Sequence, residues 1–98
     1  MLLMLRRIVV IALLLPIVAV RADALQDAAT AAARKDYATA LRLLEPLAQG
    51  GNARAQTQLA ALHYHGLGVA ESDQTAAQWY ERAARQGHAL AQFQLANM

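Results

Sequence analysis

Apolar residues recur along this chain in two ways. From Ile8 to Val20 they form a run broken by Pro16 alone, whereas from Leu25 onward they return every three or four positions among polar residues. The second pattern is that of helices with one covered face. It predicts a helix over Leu25 to Arg34, and a second over Tyr37 to Gln49 capped by Asp36, whose face is Ala40, Leu41, Leu44, Leu47 and Ala48. Pro46 sits late in that helix, where loss of its amide hydrogen should kink or tighten the last turn. Gly51-Asn52 breaks the chain and offers a cap, after which Ala55, Gln56, Leu59, Ala60 and His63 lie on one stripe. Gly66-Leu67-Gly68 suits a tight corner, because glycine accepts positive φ without a Cβ clash. Ser72 or Asp73 then caps a helix with the stripe Ala76, Ala77, Tyr80, Ala83 and Ala84, ending at Gln86-Gly87, and a last helix runs from Ala89 to Met98. Strict apolar and polar alternation never persists long enough for a strand.

The pattern repeats. GNARAQTQLA (Gly51 to Ala60) and GHALAQFQLA (Gly87 to Ala96) agree at seven of ten positions at an offset of 36. The same offset pairs Thr39 with Thr75, Ala40 with Ala76, Glu45 with Glu81 and Ala48 with Ala84. Fixed periods of this size belong to stacked helix pairs. The expected domain is 25–98, all-α, with units 25–50 and 51–86 and a partial unit 87–98, about two and a half copies. Of the 78 residues after the first 20, 22 are alanine, which favours helix and lets helix axes approach closely.

Composition and charge divide the chain at the same place. Of the first 20 residues 17 are hydrophobic, with Arg6 and Arg7 ahead of the apolar run. Small residues follow at Ala22 and Ala24, so residues 1–24 have the layout of a signal peptide cut after Ala22 or Ala24. A run of 13 residues rises only about 20 Å as a helix, short of the hydrocarbon core. The membrane is then met only through the leader, before cleavage, and the expected location is periplasmic or secreted. From Leu25 onward six Lys or Arg face six Asp or Glu, which leaves no surplus of cations for nucleic acid. With no cysteine, the chain can form neither disulfide staples nor a lipid anchor at a thiol.

Gly51, Ala53, Ala55, Gln56, Leu59, Gly66-Leu67-Gly68-Val69, Asp73, Ala76, Trp79-Tyr80, Ala83-Ala84 and Gln86-Gly87 together resemble the Sel-1-like repeats, a branch of the tetratricopeptide-like α-solenoids. The opening of the unit returns at Ala89, Ala91, Gln92 and Leu95, and Asp36 to Gln56 resembles the first unit of secreted bacterial members. A plain tetratricopeptide repeat has period 34, so 36 favours the Sel-1-like branch. The chain departs from the family pattern at Ala60 and Ala96, where glycine is usual, at His63, where tyrosine is usual, and at Met98, where a second helix should follow. The resemblance implies an interaction scaffold, without cofactor or catalysis, whose structural residues are Gly51, Ala55, Leu59, Gly66, Gly68, Asp73, Ala76, Trp79, Tyr80, Ala83, Ala84 and Gly87. Some cysteine-rich relatives are linked to penicillin binding or β-lactam hydrolysis, but their paired cysteines are missing here.

Candidate chemistry is thin. His63 and His65 lie two apart, pointing about 200° apart on a helix, and cannot clasp one metal ion unaided. His88 stands at the position of Asn52 and reads as a helix-start residue. The carboxylates are scattered, and no nucleophile, base and orienting group can be assembled. Trp79 and Tyr80 read as core, with Trp79→Ala costing about 3 to 5 kcal/mol. The expected partner-binding row on the concave side is Arg54, Thr57, Gln58 and Ala61, with equivalents Leu90, Phe93, Gln94 and Asn97. The function expected is an exported scaffold that binds another protein or peptide. The half-built last unit offers a surface for self-association, or one that a longer product would cover. A small envelope hydrolase or cell-wall or β-lactam-binding protein, and a truncated fragment without function, are the alternatives.

Overall fold

The computed structural model describes residues 23–98, and among them every regular element is a helix. Residues 23–33 are helical (α1), followed by α2 (Tyr37–Gln49), α3 (Ala53–His65), α4 (Asp73–Arg85) and α5 (Ala89–Ala96). The expected leader falls outside this range, apart from Asp23 and Ala24, which are helical. Among the described residues no helix is long and apolar enough to cross a membrane.

Short connectors stack the helices, and their chemistry is the same each time. A helix end leaves carbonyls without partners, and the chain closes them by turning one residue into the left-handed region. After α2, Gly51 (φ 99) donates to Ala48 O at 3.1 Å and Asn52 N–H to Leu47 O at 3.0 Å. After α4, Gly87 (φ 85) donates to Ala84 O at 2.9 Å and His88 N–H to Ala83 O at 3.2 Å. After α3, Gly66 (φ 66) and Leu67 do the same toward His63 O and Leu62 O. After α1 the position is taken by Lys35 (φ 64), with Asp36 N–H 2.8 Å from Ala31 O. In the short connectors the residue that closes one helix also opens the next. Asn52 accepts from Ala55 N–H at 2.9 Å and Asp36 from Thr39 N–H at 3.3 Å. Ser72, rather than Asp73, caps α4, accepting from Thr75 N–H at 3.1 Å.

The stripes bury as their spacing requires. One cluster joins Ala28, Ala31, Ala40, Leu44, Ala48, Ala55, Leu59 and Leu62, tying α1, α2 and α3. The other joins Ala60, Ala76, Tyr80, Ala83 and Ala91, tying α3, α4 and α5. Most of these side chains are single methyl groups, so contact demands close helix axes rather than long knobs. The loop between α3 and α4 is equally tight, since a Cβ on Gly68 (φ 75) would lie 2.6 Å from Tyr37 Cβ.

Two expectations change, at Trp79 and at the end of the last helix, and one at Pro46 holds. Trp79 is half-buried, not enclosed: it touches both clusters, and the Arg82 guanidinium lies 4.7 Å from its ring centre. Its truncation should then cost about 2 to 3 kcal/mol, less than a fully enclosed anchor. As expected, α2 runs to Gln49 with Pro46 inside its end; Pro46 is exposed, and Gly50 N–H donates back to Pro46 O at 3.0 Å. The last helix ends at Ala96 instead of Met98, where Asn97 Nδ2 turns back to Phe93 O at 2.8 Å.

Candidate functional site

A repeat stack needs a device that sets one unit against the next, and here it is a glutamine. Gln56 enters α3 one turn after its cap, on the side facing the end of α2. Its Nε2 donates to Ala48 O at 3.0 Å, while its Oε1 accepts from Gln86 Nε2 at 3.0 Å. The side chain is 2% exposed, and both ends of the amide are satisfied. The same bond recurs one period later: Gln92 Nε2 donates to Ala84 O at 3.1 Å. Donor and acceptor both move by 36 positions, so the offset in the sequence is an offset in three-dimensional packing.

Thr57, next to Gln56, was expected on the open row, but it is 5% exposed. Its hydroxyl donates to Ala53 O at 2.9 Å and lies 3.1 Å from His88 Nδ1. The hydroxyl thus bridges the Ala53 carbonyl and the His88 imidazole. The pair therefore joins α3 to the start of α5. His88 is the helix-start residue expected, but its side chain makes no cap bond within α5.

The rest of the expected row divides into two surfaces. Arg54, Gln58 and Ala61, with His65 beside them, occupy the side of α3 opposite the buried Gln56 and Leu59, and are exposed or half-buried. On α5 the equivalent positions are Leu90, Gln94 and Asn97. This face carries one fixed charge, Arg54, and offers amides and short apolar side chains, a surface suited to extended backbone or another helix. Phe93 belongs elsewhere. It is the counterpart of Thr57, on the flank that α4 covers in α3, and it is 64% exposed.

The remaining electrostatics are local. The Arg85 to Glu81 pair is 2.6 Å long but well exposed, which limits its worth to about 1 kcal/mol or less. The Thr39 side chain and amide hold the Asp36 carboxyl below its usual range. Burial, with Tyr64 nearby, pushes the Tyr80 hydroxyl up. Among the described residues no three of His, Cys, Asp or Glu gather as a metal site would require.

Sequence reasoning missed the Gln56 clamp and the Thr57–His88 bond. The offset held a signal for the first, because Gln56 and Gln92 both follow, by eight positions, an alanine at a helix end. The sequence model of the Sel1 repeat matches residues 30–52 and 53–88. Neither a curated protein nor a solved structure matches the chain.

Proposed function

This chain belongs to the Sel1 repeat family, and on that premise we propose that it is an exported, non-catalytic scaffold holding another protein against the open face of α3 and α5. Sel1 repeats are generally protein–protein interaction scaffolds. The observation that carries the reading is the division of labour among polar side chains. Asn52, Gln56, Thr57, Gln86, His88 and Gln92 are engaged in capping helices and joining units. Arg54, Gln58 and Gln94 have no such bond to one another or to the core, and their row crosses from one unit to the next. A row of this kind reads a partner by shape and side-chain amides, as repeat stacks do.

The leader supports export. Two arginines, a short apolar run and small residues before Asp23 or Leu25 are the features a signal peptidase acts on. The periplasm or the outside of the cell is the compartment we assign. In-cell photocrosslinking from position 58, followed by intact mass, tests both parts. A covalent adduct whose own chain begins at Asp23 or Leu25 is expected. A chain retaining Met1, with no adduct, overturns the reading.

A further inference from the structure

We draw no further inference here: the strongest candidate, the exposed apolar patch of Leu90, Phe93 and Met98 on and just past α5, carries none, because nothing in the structure shows what covers it.

Discussion

The side-chain amide of Gln56 donates to the carbonyl of Ala48, 3.0 Å away, from a position 2% exposed to solvent. The bond joins the end of one helix to the start of the next, and Gln86 completes the amide from the far side. Its copy at Gln92 and Ala84 is exposed to water. Replacing Gln56 with Leu should therefore destabilise by about 2 kcal/mol, because Gln86 loses an acceptor and a buried packing contact changes shape. Gln92→Leu should cost under about 0.5 kcal/mol. Urea unfolding of the two variants side by side checks the difference.

Lys35 holds a left-handed φ of 64 at a position where the other three connectors use glycine. A side chain with a Cβ pays steric strain there, so Lys35→Gly should stabilise the chain by about 0.5 to 1 kcal/mol. For a domain of this size that is a rise in Tm of roughly 4 °C. An unchanged or lower Tm would contradict the account of this connector.

Gly68 and Gly87 both have positive φ, but only Gly68 is crowded. A Cβ on Gly68 would meet Tyr37 Cβ at 2.6 Å and Leu41 Cδ1 at 3.0 Å, while one on Gly87 would meet nothing within 4 Å. Gly87→Ala should cost about 1 kcal/mol of backbone strain, and Gly68→Ala about 3 kcal/mol with overpacking added. Thermal melting that ranks them in the reverse order would refute the packing of the α3–α4 loop on α2.

Two groups give stability a pH dependence of known sign. The Asp36 carboxyl is held below its ordinary value by Thr39, so its contribution is present above about pH 4 and is lost as pH falls through the lowered value. Asp36→Asn keeps a cap but cannot titrate, and should flatten the acid limb of the stability curve. Tyr80 is raised by burial, so the folded chain holds that proton more tightly and loses stability as pH rises above about 10. Tyr80→Phe should flatten the alkaline limb. Denaturant midpoints across pH check both.

The helices, their caps and most of the core could be read from spacing, because Asp36, Asn52 and the stripe Ala55, Leu59, Ala60 act within one or two turns of their own helix. What escaped depends on distant neighbours. Thr57 and Gln58 differ by one position, and the periodicity of α3 alone does not say which of them His88, 31 residues on, will cover. Lys35 escaped for a different reason: lysine carries no signal for a left-handed φ, and only the shared connector geometry imposes it. Trp79 was placed on the right face, but its size carries the ring past a core built of alanines and out beside Arg82.

The account stands most directly on the open face of α3 and α5. A photocrosslinking residue at Gln58 and at Gln94, set against the same residue at Arg42 and Gln78 on the exposed sides of α2 and α4, measures it in the cell. The account predicts one adduct of the same partner mass from positions 58 and 94 and none from 42 and 78. Adducts only from the back positions, or none from any of the four, would contradict it.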